Sequence, residues 1–309
     1  MITTVALNPS IDHTVEIESF SFGGLNRVLQ SHSTAGGKGL NIALTASAMG
    51  VDAECIGLMY RDGSTPFERK FMLNSTAYNF VWCEGTVRTN IKVHDLSTGL
   101  FTEINEPGER VSEEDIDKIK ALVQLHAENS DYMVFAGSLP PGCPEDIYRT
   151  MIESVQDLDC RCVVDADGEA LRQAIQAKPY MIKPNLYELE QLVGRELKEI
   201  NEVRAVARQL IAGGIALVAV SLGEDGAIIT NGDETWRAYG VNLNVKSTVG
   251  AGDAMTAGMV CGCMGEKNLE TILRMGTACA LARCATDDNK TIEKTVYKGY
   301  MDIPRIEKL

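Results

Sequence analysis

Thr248-Val249-Gly250-Ala251-Gly252-Asp253, followed by an apolar run from 254 to 263, is the most informative stretch of this sequence. Its small residues allow a ligand to approach the backbone closely, and a glycine turn at a helix start presents unpaired amides in the positive potential of the helix dipole. An Asp at this point stays ionised and can take a proton from a hydroxyl that attacks a bound phosphorus. The alternative is a glycine loop in which Asp253 only caps the helix.

A second glycine stretch, Ala35-Gly36-Gly37-Lys38-Gly39-Leu40-Asn41, precedes an apolar run from 42 to 49. It is not a Walker A loop, because no Ser or Thr follows the lysine and the glycine spacing is wrong, and it is not a Rossmann fingerprint. Three glycines around a lysine at a helix start favour close approach of an anionic ligand. The alternative is an ordinary glycine turn with a solvated lysine.

The formal net charge of −14 excludes nucleic acid and anionic membranes as favoured partners. It would also repel a phosphorylated ligand, so such a ligand requires basic residues concentrated at one place. Arg27, Lys38, Arg88 and Lys92 collect in the amino-terminal third of the chain. The alternative for Arg88 and Lys92, which alternate along one stretch, is the solvated face of a strand.

The nine cysteines include no CxxC pair, so a zinc site is not expected, and buried reduced thiols are. No signal peptide precedes the first strand-like stretch, and no apolar run reaches the ~18 residues that a membrane span needs. We therefore expect a cytoplasmic protein.

Short apolar stretches alternate with amphipathic ones along the chain, which predicts an α/β fold with a mainly parallel sheet covered on both sides. The predicted buried strands are 2–7, 53–58, 132–136, 160–166, 180–183 and 216–221. Helices are predicted at 112–126, where Ser-Glu-Glu-Asp gives a start signal, and at 268–285.

Two segments, 11–17 and 87–94, alternate apolar and polar residues with period two. This pattern is typical of half-exposed strands and predicts a small separate sheet beside the main one. The alternative is an edge hairpin of the main sheet.

Two further motifs follow predicted strands, where ligands bind in open α/β sheets. In Lys183-Pro184-Asn185-Leu186-Tyr187-Glu188, the Glu can hold Mg²⁺ through water, or else Asn185 and Glu188 only cap a helix. The glycines of Ser221-Leu222-Gly223-Glu224-Asp225-Gly226 allow a nucleotide to lie against the loop, although a plain hairpin turn has the same composition.

These four motifs, in this order, resemble the ribokinase-like (pfkB-type) sugar kinases over essentially the whole chain, from Leu7-Asn8-Pro9-Ser10-Ile11-Asp12 to about Ala285. Gly137-Ser138-Leu139-Pro140-Pro141-Gly142 and Val164-Asp165 add to the likeness. The chain looks most like the 1-phosphofructokinase branch in Asn26-Arg27-Val28, Arg88-Thr89-Asn90-Ile91-Lys92 and Lys246-Ser247-Thr248-Val249.

The resemblance implies one kinase domain over 1–309, a three-layer αβα sandwich with a mainly parallel central sheet. It also implies a β-lid formed from about 9–34 and 86–107, through which two copies pack into a homodimer. The family usually has a glycine-containing turn near the adenine, and 284–290 has no glycine, so the likeness assigns no adenine contacts there.

Site residues follow from the same resemblance, with ATP and Mg²⁺ as cofactors. Asp253 would be the catalytic base, beside an anion hole formed by Gly250, Ala251 and Gly252, and Glu188 would organise Mg²⁺ through water. The sugar phosphate would contact Asp12, Arg27, Gly37, Lys38, Asn41, Arg88, Asn90, Ser138 and Asp253. The nucleotide would contact Lys183, Asn185, Ser221, Gly223, Gly226, Thr248, Gly250 and Gly252.

The implied reaction is transfer from MgATP to the 6-hydroxyl of fructose 1-phosphate, giving fructose 1,6-bisphosphate and ADP. The nearest alternative is a sister kinase acting on tagatose 6-phosphate or fructose 6-phosphate. A sensor that binds sugar phosphate without chemistry is more remote, because Asp253 and its glycine loop are intact. A nicotinamide-dependent dehydrogenase would need a glycine fingerprint after the first strand, and Ala6-Leu7-Asn8-Pro9 offers none.

Overall fold

The computed structural model describes residues 1–287, 290–292 and 294–309. Its strands are β1 Ile2–Ala6, β2 Ser10–Ile17, β3 Val28–Gly36, β4 Ala53–Asp62, β5 Ala77–Thr86, β6 Arg88–Asp95, β7 Leu100–Asn105, β8 Tyr132–Ala136, β9 Arg161–Asp165, β10 Met181–Ile182, β11 Leu217–Ser221, β12 Gly226–Thr230, β13 Thr235–Tyr239 and β14 Ile306–Lys308. Its α-helices are α1 Lys38–Ala48, α2 Thr65–Leu73, α3 Glu113–Ala127, α4 Ile147–Val155, α5 Gly168–Gln176, α6 Leu186–Val193, α7 Ile200–Ala212, α8 Ala251–Met264, α9 Leu269–Cys284 and α10 Lys294–Gly299.

Within these ranges the strands form a large ten-stranded sheet and a small four-stranded one. The large sheet has the order β14-β13-β12-β11-β10-β9-β8-β1-β4-β5, and its strands from β11 to β5 run parallel. The last three strands at the other edge, β12 to β14, pair antiparallel. The predicted mainly parallel α/β fold is therefore confirmed, and the carboxyl ends of its parallel strands share one edge.

Alternate residues of the central strands pack into two different cores, one on each face of the large sheet. Val163 belongs to the core that also holds Ala254 of α8 and Leu273 of α9, whereas Val164 belongs to the core that holds Ile119 of α3. A strand buried on both faces needs apolar residues at every position, which is why the predicted strands lack alternation.

The two predicted helices are confirmed as α3 and α9, and a side chain caps the start of each. The Ser112 side chain accepts a hydrogen bond from the Asp115 amide at the start of α3, and Asn268 does the same for Thr271 at the start of α9. The strand predicted at 180–183 is reduced to Met181–Ile182. Ladder pairing is interrupted at Pro184, which has no amide to donate, although the Pro184 carbonyl still accepts from the Ser221 amide at 3.1 Å and Asn185 forms a parallel bridge with Ser221.

The small sheet has the order β3-β2-β6-β7, with β2 parallel to β6. Segments 11–17 and 87–94 thus lie in a separate sheet as predicted, and the edge-hairpin alternative is wrong. The prediction that their polar side is half-exposed also needs correction. Asn90 and Lys92 are buried, Lys92 being only 5% exposed, because their side of β6 faces a cleft rather than solvent.

Among the described residues, no helix combines the length and apolar character that crossing a membrane requires. All nine cysteines lie in the described ranges and are free thiols. Seven of them are buried, and Cys143 and Cys284 are half-buried.

Candidate active site

A cleft of about 450 Å³ lies where the carboxyl ends of the parallel strands meet the small sheet. Residues from both sheets line it, so its walls come from distant parts of the chain. Most of the predicted site residues lie in this lining: Asp12, Gly37, Lys38, Asn41, Arg88, Asn90, Ser138, Lys183, Asn185, Glu188, Ser221, Thr248, Gly250, Gly252 and Asp253.

The two glycine stretches bring two helix starts to this cleft. Gly37 is the N-cap of α1 with φ of 115°, and Gly250 is the N-cap of α8 with φ of 75°. Both values lie in the region that glycine adopts readily and other residues avoid. The free amides and positive dipole ends of both helices therefore face one cavity, where they favour an anion.

Asp253 lies in the first turn of α8 and does not cap it, because Gly250 is the N-cap and no side chain caps this helix. The alternative in which Asp253 only caps the helix is therefore wrong. The carboxylate instead accepts a hydrogen bond of 2.8 Å at Oδ2 from Nδ2 of Asn41 on α1. The two glycine motifs, 212 residues apart, are joined through this bond.

Asp253 is 8% exposed, and burial is the largest cause that raises the pKa of its carboxyl. The nearby Asp165 carboxylate raises this pKa further, whereas Lys38, the Asn41 hydrogen bond and Lys183 lower it. A raised pKa makes the carboxylate a better proton acceptor, which suits a general base.

Lys38 and Lys183 share one buried carboxylate. Asp165, at the end of β9, lies 2.8 Å from Nζ of Lys38 through Oδ1 and 3.2 Å from Nζ of Lys183 through Oδ2. Thr256 on α8 also donates to Asp165. Burial alone would raise the pKa of Asp165, but Lys183 and Lys38 outweigh it and hold the pKa at about 2.

Lys38 is not a freely solvated lysine, so that alternative is wrong. Burial lowers its pKa, but the carboxylates of Asp165, Glu188 and Asp253 outweigh burial and raise the pKa above its ordinary value. Lys38 therefore carries a fixed positive charge in the cleft, and in this structure that charge is directed at Asp165.

Asn185 and Glu188 form a capping box at the start of α6. The Asn185 side chain accepts from the Glu188 amide, and Glu188 Oε2 accepts from the Asn185 amide. Oε1 of Glu188 lies 3.7 Å from Lys38 Nζ. The capping interpretation is thus correct. Glu188 caps α6 and also lines the cleft. In the described part of the chain, no three or more His, Cys, Asp or Glu side chains cluster so that they could hold a metal.

The opposite end of the cleft contains a buried ion pair between the two central strands of the small sheet. Asp12 on β2 accepts from Lys92 at 2.8 Å and from Asn90 at 3.3 Å, both on β6. Oδ1 of Asn90 is buried without a partner in the structure, so it can accept a hydroxyl of a ligand. The solvated-face alternative for Lys92 is therefore wrong.

Arg88, at the start of β6, also lines the cleft. Its Nη2 donates to the carbonyl of Asn8 at 3.2 Å and to Ser138 Oγ at 3.4 Å. Its Nη1 donates to the carbonyl of Glu106 at 2.8 Å. These contacts fix the Arg88 guanidinium beside the Ser138 hydroxyl. Both groups can donate hydrogen bonds, and together they suit an anionic ligand group. Lys38, Lys92 and Lys183 also line the cleft, but each is paired with a carboxylate there, so a bound anion would compete with Asp12 and Asp165 for these cations.

Four predicted site residues are not in the cleft lining. Arg27 is exposed in the segment before β3, and Ala251 is the first residue of α8, between two glycines that do line the cleft. Gly223 lies in the turn between β11 and β12 and Gly226 is the first residue of β12, so both belong to the hairpin given as the alternative. At Gly226, with φ of 99°, a Cβ would lie 2.1 Å from the Ala238 carbonyl oxygen, so strand packing alone requires this glycine.

Sequence reasoning missed some residues of the cleft. Asp165 was used only as part of the family likeness, although its place after a predicted buried strand was a usable signal. Lys92 was recognised as basic but not as a site residue. Asn8, Glu103, Asn105 and Asp167 also line the cleft. Asp288 and Asn289, in the 284–290 segment to which the likeness assigns no adenine contacts, lie outside the described residues.

Comparison with known proteins gives a consistent result. The family model described as pfkB family carbohydrate kinase matches residues 5–292. A 1-phosphofructokinase of Rhodobacter capsulatus is 35% identical over 281 residues, which are 91% of this chain and 89% of that protein. The structure of phosphofructokinase-2 from Escherichia coli in complex with substrates and products has a TM-score of 0.90 at 27% identity, covering 97% of this chain and 98% of that one. The tetrameric inhibited form of that enzyme has a TM-score of 0.88 at 27% identity, covering 97% of both chains.

Proposed function

The chain belongs to the pfkB family of carbohydrate kinases and is a sugar-phosphate kinase, and on that premise we propose that it phosphorylates the 6-hydroxyl of fructose 1-phosphate with ATP. The products are fructose 1,6-bisphosphate and ADP. The observation that carries the chemistry is the buried Asp253 carboxylate, held by Asn41 in the first turn of α8 and facing the cleft that Arg88 and Lys38 also line.

In the proposed reaction the 6-hydroxyl oxygen attacks the γ-phosphorus and its proton passes to Asp253, while the bond from the γ-phosphorus to the bridging oxygen breaks and ADP leaves. Asn41 fixes the carboxylate through Oδ2, so Oδ1 is the proton acceptor. The amides at 250–252 and the α8 dipole stabilise the charge on the transferred group, which is the main task of the protein in phosphoryl transfer.

The 1-phosphate of the sugar is assigned to Arg88 and Ser138, with Lys38 reaching it from the other side. Lys38 is paired with Asp165 in this structure, so binding would redirect part of its charge from Asp165 to the phosphate. Asp12, Asn90 and Gly37 would contact the sugar, because they line the same cleft as Arg88 and Asp253.

The nucleotide is assigned to the side of the cleft lined by Lys183, Asn185, Ser221, Thr248 and Gly252. Gly252 lies beside Lys183, since a Cβ at this position would be 3.5 Å from Lys183 Nζ. Gly223 and Gly226 would act only through the shape of the β11–β12 turn.

Magnesium would come with ATP and supply charge neutralisation between the phosphates. The available carboxylates fit a water-mediated contact better than direct ligation, because Asp165 and Glu188 are already paired with lysines and Mg²⁺ retains several waters. Glu188 would hold it through water.

We further propose that the small sheet acts as a lid and joins two copies into a homodimer in the cytoplasm. The small sheet and the connection between β2 and β3 expose large apolar side chains, which a partner would cover: Phe22, Leu25, Val28, Leu29, Leu100 and Ile104. Arg27 lies in the same region, so a role in phosphate binding requires movement of this sheet or delivery from a second copy.

The proposed substrate is tested by coupled ADP detection with a panel of fructose 1-phosphate, fructose 6-phosphate, tagatose 6-phosphate and unphosphorylated fructose. The proposal predicts the highest kcat/KM for fructose 1-phosphate and almost none for fructose. A higher kcat/KM for fructose 6-phosphate or tagatose 6-phosphate would instead assign the chain to one of the sister kinases. Binding of sugar phosphate with no ADP release would instead support a sensor.

A further inference from the structure

A buried guanidinium lies directly behind the glycine loop of α8. Arg283, in the last turn of α9, is 8% exposed. Its Nε donates to the carbonyl oxygen of Val249 at 2.8 Å. Its Nη1 donates to the carbonyls of Asp287 at 3.2 Å and Lys290 at 3.0 Å. The same side chain therefore holds the residue before Gly250 and the segment that follows α9.

The end of α9 and the loop before α8 are also tied through their backbones. The amides of Lys246 and Ser247 both donate to the carbonyl of Cys284, at 2.8 and 3.3 Å. Ser247, which is buried, accepts from the Val249 amide through Oγ at 3.1 Å. Within the described residues, Arg283 is the only side chain of α9 that hydrogen-bonds to this loop, and its acceptor residue, Val249, lines the cleft.

The bond to Val249 determines where the Gly250 amide points. A trans peptide is planar, and its carbonyl and amide point in opposite directions. Because the Val249 carbonyl is directed at Arg283, the Gly250 N–H is directed to the other side of the loop. A hydrogen bond from a cation also polarises the peptide and makes its N–H a stronger donor. Gly250 opens the anion hole, so Arg283 acts on the first amide of that hole.

We propose that Arg283 is a positioning residue for phosphoryl transfer, which orients and polarises the peptide between Val249 and Gly250. This inference rests on the proposed function of the glycine loop as the anion hole. Arg283 acts from behind the loop and does not need to touch the substrate. Its contribution should appear mainly in the transition state, when charge on the transferred group is greatest.

The test compares Arg283→Met, Arg283→Lys and the matched control Arg274→Met. Arg274 also lies on α9 and also donates to two backbone carbonyls, those of Met301 and Pro304, but neither carbonyl belongs to the glycine loop. We expect Arg283→Met to lower kcat about 10- to 100-fold, as small misplacements of catalytic groups do, with little change in the KM for the sugar phosphate. Arg283→Lys should retain more activity, and Arg274→Met should keep the wild-type kcat.

Two further measurements separate positioning from a general loss of structure. Millimolar guanidinium chloride should raise the kcat of Arg283→Met and not that of Arg274→Met. Hydrogen exchange of a peptide covering 246–253 should be faster in Arg283→Met than in wild type, and this readout does not need kinase activity.

The inference is overturned if Arg283→Met keeps the wild-type kcat, or if its exchange at 246–253 is unchanged. It is also overturned if both arginine variants lose activity in proportion to their melting temperatures. Wild-type protein that is inactive on the whole sugar panel would instead refute the proposed function, and the exchange experiment would still decide whether Arg283 orders the loop.

Discussion

Replacing Asp165 by Asn should destabilise the protein by removing one charge from a buried network. The Asp165 side chain has no exposed surface, and Lys183, one of its two partners, is only 4% exposed. Asn has nearly the same shape, so the change leaves a buried ammonium without its counter-charge rather than a cavity. Breaking a buried ion pair on one side costs about 3–5 kcal/mol.

The size of the thermal shift follows from the length of the chain. For 309 residues and an unfolding entropy of roughly 2.1 cal/mol/K per residue, this cost corresponds to a melting temperature about 5–8 °C lower. Lys38, with 31% of its side chain exposed, can turn to solvent, which favours the lower end of that range.

The pH dependence gives a second check. The pKa of Asp165 in the folded protein, about 2, lies below its ordinary value of 3.8. Its charge therefore stabilises the fold above about pH 4, and this contribution is lost as the pH falls through about 2. The difference in unfolding free energy between wild type and Asp165→Asn should thus shrink on acidification below about pH 4.

The assay is calorimetry or circular dichroism at neutral pH, with denaturant unfolding across the acidic range. Asp167→Asn is the matched control, because Asp167 is exposed two residues further on and also lines the cleft. Exposed substitutions change stability by less than about 0.5 kcal/mol, so this control should melt within about 1 °C of wild type. If Asp165→Asn melted as its control does, the buried network would not have the energetic role described here.

Two further predictions concern ligand binding and assembly. In titration calorimetry, Arg88→Ala should weaken binding of the phosphorylated sugar more than binding of ATP. The reason is that Arg88 lies beside Ser138, where the sugar phosphate is assigned. Equal losses of affinity for both ligands would count against that assignment. Ile104→Glu, on the exposed face of β7, should shift the protein to monomers in light scattering, because burying a carboxylate against an apolar partner is costly. The control Leu125→Glu, on the exposed face of α3, should leave the assembly unchanged. Unchanged assembly in Ile104→Glu would remove the small sheet as the interface.

The centre of the site was predictable because its chemistry is carried by contiguous motifs. Glycines at a helix start restrict the backbone locally, so the positions of Gly37, Gly250 and Asp253 follow from short segments. The small sheet was also predictable, because period-two alternation distinguishes its strands from the buried ones.

The rest depended on contacts that no short segment contains. Alternation in β6 shows that Lys92 and Val93 point to opposite sides, but not that the polar side faces a cleft. Gly226 belongs to a glycine-containing stretch that predicts a ligand loop. The position needs glycine for another reason, because a Cβ there would overlap the Ala238 carbonyl oxygen of the neighbouring strand β13. The pairing of Lys38 with Asp165, 127 residues away, arises only when β9 and α1 are brought to the same edge of the large sheet.

The central claim, that Asp253 takes the proton of the attacking hydroxyl, is tested most directly by Asp253→Asn. The variant keeps the shape of the side chain and can still accept the Asn41 hydrogen bond, but it cannot accept the proton. We predict that kcat falls about 10²- to 10⁴-fold, the usual loss for a positioned base, while ATP and sugar phosphate bind with wild-type affinity. Near-normal turnover in this variant, with the best substrate of the panel, would contradict the account.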